Sequence, residues 1–222
     1  MKILTFDTSL NKTYITLCEN DYQLVVKTID STDERYHSAF LIPAIVEILK
    51  EQKITMKDIE AIGTNIGPGS FTGIRVCTTI ARVFAQQLNA KLIGISSMQI
   101  LSGINESDKN SLVVMDARKN KVYYAIYTPE GKIIKEPSSI EKEEILEILK
   151  DDYFVIADAS IYSYLNENNI DCTNYEAEAY ELGKYLAHFT YEEIKTKNSD
   201  FHWAKVKPLY IQPPSISKPK VN

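Results

Sequence analysis

Two stretches of the chain gather residue types that handle phosphate. At the end of an apolar run, Phe6-Asp7-Thr8-Ser9 sets a carboxylate beside two hydroxyls. In a phosphotransferase such a carboxylate holds a metal-bound phosphate from a strand end, and the same residues equally close a turn on their own backbone. Further along, Gly67-Pro68-Gly69-Ser70-Phe71-Thr72-Gly73-Ile74-Arg75 lies between an expected strand and an expected helix. Its glycines let the backbone turn tightly, and a helix start offers free N–H donors to an anion. The loop lacks the lysine of GxxxxGK[ST], and its third glycine falls one residue late for GxGxxG. Two readings stand: a phosphate or nucleotide loop built on Asp7, Gly67, Gly69, Ser70 and Gly73, or a tight turn that packs a helix on a sheet. The first would make the chain a small-molecule kinase or ATPase.

Other chemistries find less to work with. His37, His188 and His202 show no HxxxH or HExxH spacing, so no metal site is expected. Cys18, Cys77 and Cys172 are odd in number and far apart, which argues for reduced core thiols rather than disulfides or a zinc knuckle. Ser70 lacks the trailing glycine of GxSxG, and a hydrolase reading has little to stand on. The formal net charge of -5 argues against tight RNA binding by the chain alone, because such binding needs a basic footprint. The lysines of Ser217–Asn222 read as a solvated terminus. No targeting segment or spanning run is evident, so a cytoplasmic protein with no membrane contact is expected.

A repeated pattern must position these residues. An apolar strand Ile3 to Phe6 ends in Asp7, and strands Thr13 to Leu17 and Tyr22 to Ile29 follow. Later, Leu112 to Met115 ends in Asp116, followed by Val122 to Tyr127 and Lys132 to Lys135. Each half thus opens with a three-strand meander. Further apolar strands follow at Ile59 to Asn65, Lys91 to Ile95 and Tyr153 to Ala157. Helical periodicity marks Ser38 to Glu51, Thr72 to Leu88, a short helix from Ser96, Ile140 to Leu149 and Tyr175 to Ile194. The mixture implies an α/β protein with two lobes, 1–104 and 105–222. Pro208 to Pro214 reads as an extended edge.

On the first long helix, Leu41, Ile42, Ile45, Val46, Ile48 and Leu49 form the expected core face, leaving Phe40 and Ala44 outside it. On the second, Ile74, Cys77, Ile80, Ala81, Phe84, Ala85 and Leu88 face the core. Opposite them Val76, Thr79 and Val83 make a narrow stripe flanked by Arg75 and Arg82, the seam expected where helices pair across an interface.

Several motifs together resemble one family. Phe6-Asp7-Thr8-Ser9, Arg35-Tyr36-His37-Ser38, Gly67 to Arg75, Gly94-Ile95-Ser96-Ser97 and Met115-Asp116-Ala117-Arg118 look like the TsaB (YeaZ) family, densely to about residue 127 and thinly beyond. The resemblance implies the duplicated actin/Hsp70/sugar-kinase (ASKHA) fold. It implies a subunit beside TsaD, the catalytic paralogue, and TsaE, an ATPase, in forming threonylcarbamoyladenosine next to the tRNA anticodon. Phe40, Ala44, Val76, Thr79 and Val83 then fall on a partner surface, used for TsaD and for a homodimer, with tRNA reached through the complex. The catalytic paralogue carries an HxxxH metal motif where this chain has Ser96-Ser97-Met98-Gln99, so no catalytic residue, cofactor or metal is expected here. The chain also departs from the family at Ile156-Ala157-Asp158-Ala159 and at Gln212.

Overall fold

Both sheets follow one plan. The computed structural model describes residues 1–30, 37–196 and 200–212. In the first sheet β1 (Lys2–Asp7), β2 (Thr13–Glu19) and β3 (Tyr22–Ile29) form an antiparallel meander. β4 (Ala61–Asn65) lies parallel to β1, and β5 (Lys91–Ile95) parallel to β4, giving the order β3-β2-β1-β4-β5. The second sheet repeats it: β6 (Ser111–Arg118), β7 (Lys121–Tyr127) and β8 (Ile133–Glu141) form the meander, and β9 (Phe154–Ala157) and β10 (Thr173–Asn174) add parallel strands on the other side of β6. This is a duplicated α/β plan of the ASKHA kind.

Helices cover these sheets in layers. α1 (His37–Glu51) and α2 (Phe71–Leu88) pack on one face of the first sheet, against Leu4, Phe6, Ile15, Leu17, Ile62 and Leu92. α4 (Ile145–Ile148) and α5 (Ala159–Glu167) cover Leu112, Val114, Val122 and Val155 on the outer face of the second. Between the sheets lie α3 (Ser97–Ser102) and α6 (Leu182–Thr196), in one cluster with Ile3, Tyr14 and Ile93 from the first sheet and Val113, Ala125 and Ile156 from the second. Neighbouring residues such as Ile3 and Leu4, or Val113 and Val114, therefore bury opposite ways. That explains why the central strands read as continuous apolar runs.

The second half departs from the expected elements. β6 does not stop at Asp116 but passes through an irregularity to Arg118. β8 runs on to Glu141, so the helix expected over Ile140 to Leu149 shrinks to a 3-10 turn, Lys142–Glu144, and α4. α5 follows β9 where no helix was expected, and α6 starts at Leu182 rather than near Tyr175. The chain from Leu182 onward also returns to the first sheet. α6 lies across β1, β2, β4 and β5; the Leu92 amide donates to the Phe201 carbonyl at 2.9 Å, and the Leu209 amide to the Ile66 carbonyl at 2.8 Å. Leu209 to Gln212 pair with no strand as a regular edge would. Arg35 and Tyr36, Pro213 and Pro214, and the tail Ser217–Asn222 lie outside the described residues.

Candidate functional site

Asp7 is fully enclosed at the end of β1. Its Oδ1 accepts both the Ser9 amide and the Ser9 hydroxyl at 2.6 Å, a local turn around a strand end. Oδ2 is buried and accepts no hydrogen bond, and the neighbouring Asn65 Nδ2 is likewise buried without a partner. Burial pushes the Asp7 carboxyl above its ordinary range, and the polar groups around it, Ser9 foremost and then Asn65 and the Leu10 amide, offset that only in part. Asn65 Oδ1 is fully used, accepting the Gly67 amide and the Ser97 hydroxyl, each at 2.8 Å. Asp7 and Asn65 thus brace the loops that follow β1, β4 and β5.

The glycine loop rests directly on the turn after Asp7. Ser70 donates its amide to the Ser9 carbonyl at 2.8 Å, and Thr8 Oγ1 donates to the Gly73 carbonyl at 2.8 Å. A Cβ on Gly69 would lie 2.6 Å from the Ser9 oxygen, and one on Gly73 would lie 2.0 Å from the Thr8 oxygen. Gly67 adopts φ 104°, a conformation that a side chain opposes. Ser70 caps α2, its hydroxyl accepting from the Gly73 amide at 3.3 Å. The five residues expected to form a phosphate site are therefore together, but their backbone donors and close approaches are largely spent on each other.

A cleft of ≈ 610 Å³ opens beside this junction. Thr8, Asn11 and residues 69–73 line one side, and Met115 to Arg118 with Tyr123 line the other. Asp7 does not line it. Across the cleft the Asp116 amide donates to Asp158 Oδ2 at 2.5 Å, and Asp158 caps α5 by accepting the Ile161 amide at 2.9 Å. Burial raises the Asp158 carboxyl, against these two bonds. No group of three His, Cys, Asp or Glu among the described residues could hold a metal ion.

The outer face of α1 and α2 is the other candidate surface, and here the expected core of α1 needs correction. Ala44 is buried, at 6%, and packs with Leu41, Ile45, Ile48 and Leu49 against the sheet. Ile42 and Val46, expected inside, are 46% and 58% exposed. A small alanine lets the helix approach the sheet closely, so the buried arc centres on it and the branched residues turn outward. Phe40 is exposed as expected. On α2 the expected stripe is found, with Thr79 and Val83 exposed and Val76 half-buried. Phe71 at the start of α2 is also exposed. Sequence reasoning missed Ile42, Val46 and Phe71, although the near-continuous apolar circumference of α1 was the available signal: such a helix needs contacts on more than one side.

Two arginines border that stripe. The Arg75 guanidinium lies 3.8 Å from the Phe71 ring centre, and Arg75 Nε donates to the Tyr210 hydroxyl at 3.1 Å. The Arg82 guanidinium lies 5.4 Å from the Trp203 ring centre. Trp203 and Tyr210 reach these positions because the C-terminal segment is bonded to the first sheet at Leu92 and Ile66.

Comparison with known proteins adds the following. Residues 25–177 match a sequence-family profile described as TsaD: tRNA N6-adenosine threonylcarbamoyltransferase. A tRNA threonylcarbamoyladenosine biosynthesis protein TsaB of Buchnera aphidicola subsp. Acyrthosiphon pisum is 27% identical over 210 residues, covering 90% of this chain and 92% of the relative. The protein of that name from Bacillus subtilis is 28% identical over 156 residues, 68% of this chain and 67% of the relative. The crystal structure of a Pseudomonas aeruginosa protein described as similar to the peptidase YeaZ superposes with a TM-score of 0.75 at 18% identity, covering 95% of this chain and 99% of that one. At that identity the likeness speaks for the fold alone.

Proposed function

Because the chain belongs to the family described as TsaD: tRNA N6-adenosine threonylcarbamoyltransferase, and within it to the TsaB (YeaZ) type, we propose that it serves threonylcarbamoyladenosine formation in tRNA as a non-catalytic subunit that binds and activates TsaD. The observation that carries this reading is the outward apolar surface of α1 and α2. Ile42, Val46 and Val83 are each about half exposed or more on two packed helices, and apolar patches of this kind mark association surfaces. TsaD occupies this surface in the complex, and a second copy of the chain occupies it when TsaD is absent. TsaE and tRNA join through the assembled complex, in keeping with the acidic charge of the chain.

The kinase or ATPase reading receives less support. A nucleotide loop must present its amides to phosphate, whereas the Ser70 amide donates to the Ser9 carbonyl and the Gly73 amide to the Ser70 hydroxyl.

The test is size-exclusion chromatography of the chain with TsaD from the same organism, together with Val83→Glu and Phe40→Asp variants. Wild type is expected to co-elute with TsaD and to raise its tRNA-modifying activity, and each variant to stay folded and elute alone. A complex that survives both substitutions combined would place the interface elsewhere.

A further inference from the structure

Arg75 and Arg82 lie seven residues apart on α2, next to the apolar stripe of Val76, Thr79 and Val83. Seven residues of helix span roughly 10 Å, so the two guanidiniums stand on one flank, one heptad apart. Their environment is unusual for arginines at a surface. Neither makes an ion pair with a described residue: Arg75 contacts Phe71 and Tyr210, and Arg82 contacts Trp203. Arg82 Nε is buried without any hydrogen-bond acceptor.

Cation–π contact with an aromatic ring holds each guanidinium in place without neutralising it. With Nε turned inward, arginine so held keeps its two terminal Nη groups ready for a bidentate carboxylate. Charges that flank an apolar helical seam set partner choice and register.

On the reading of this surface given above, we propose that Arg75 and Arg82 form a two-point acidic reader. The partner helix that packs along Val76, Thr79 and Val83 carries two carboxylates one heptad apart, which seat on the two arginines. The apolar stripe supplies adhesion. The arginines fix which helix is accepted and in what register, because a partner offering lysines there would leave four cations crowded together. Trp203 and Tyr210 act as positioning residues, so the C-terminal segment, distant in sequence, takes part in partner choice.

The experiment measures the dissociation constant of the full chain for TsaD at low and moderate salt, for wild type, Val83→Glu, and the doubly substituted Arg75→Gln, Arg82→Gln chain. Melting curves confirm that each is folded. A second double variant, Arg75→Lys with Arg82→Lys, retains charge if the glutamines unsettle the aromatic contacts. The expected result is that Val83→Glu abolishes binding, that the glutamine pair weakens it at least about tenfold and flattens its salt dependence, and that the lysine pair falls between. If Val83→Glu abolishes binding while both arginine variants match wild type at each salt concentration, the acidic reader is wrong and the interface stands. If Val83→Glu binds like wild type, the interface itself is wrong, and the acidic reader with it.

Discussion

The Cβ that Gly73 lacks would fall 2.0 Å from the carbonyl oxygen of Thr8, so the first turn of α2 rests on bare backbone of the loop after β1. Backbone cannot move aside as a side-chain end can. Gly73→Val is therefore expected to lower stability by more than about 1 kcal/mol, and Gly69→Val to do the same against the Ser9 carbonyl. Urea denaturation of the two variants is the check, and midpoints equal to wild type in both would show that the glycines do not serve packing.

The two faces of α1 are separated by a pair of substitutions. Ala44→Leu forces extra carbons into the layer between α1 and the sheet and should cost about 1–3 kcal/mol. Val46→Ser, at a position 58% exposed, should change stability by less than about 0.5 kcal/mol. Thermal melting of both variants reads the difference directly, and a reversed order would restore the core face expected from hydropathy.

Asp7 gives a pH signature. Its folded-state pKa is raised above 3.8 by burial, so its contribution to stability is complete below about pH 3.8 and is lost as pH rises through the folded value. Asp7→Asn keeps an Oδ1 acceptor for Ser9 and removes the ionisation. The stability of the variant relative to wild type should rise as pH climbs from about 4 towards neutrality. Denaturation midpoints over that range are the measurement, and parallel profiles for the two proteins would contradict the assignment.

A fragment of residues 1–104 should not fold alone. It would hold the whole first sheet, yet the face carrying Ile3, Tyr14, Cys18 and Ile93 is covered by α6, whose Gly183 lies against Tyr14 and Thr16 and whose Thr190 lies against Gly63. Circular dichroism and one-dimensional proton spectra should report a collapsed or unfolded chain. A cooperative melt for the fragment would mean that the first lobe is autonomous.

Much of the first lobe was legible because its strands bury both faces, and continuous apolar runs bounded by turns leave few alternatives. β5 falls on the expected residues, as does β3, an edge strand whose residues are half-buried or exposed and which is marked instead by its β-branched run. In α1, hydropathy ranks isoleucine and valine above alanine, but Ala44 went in and Ile42 and Val46 stayed out. Interface and core draw on the same residue types, and only their relative exposure separates them. β8 was read too short because Lys135-Glu136-Pro137-Ser138-Ser139 has the composition of a loop; at the sheet edge, with one side unpaired, such residues are tolerated. α5 was missed although Asp158 is a good N-cap for it. The meeting of Arg75 with Tyr210 and of Arg82 with Trp203 left no local mark, since each pair is joined only by tertiary packing.

The return of α6 to the first sheet also orders events during synthesis. β1 to β5 leave the ribosome well before Leu182, the first residue of the helix that covers one of their faces, has been made. Throughout that interval the apolar face of Ile3, Tyr14 and Ile93 lacks the cover that α6 provides, and its contacts with α6 close over long sequence separations. Folding that waits on such distant contacts is slow and leaves the nascent chain open to association with other molecules. Cellular yield of this protein should therefore follow how quickly the final third of the chain is delivered and what shelters the first sheet until then.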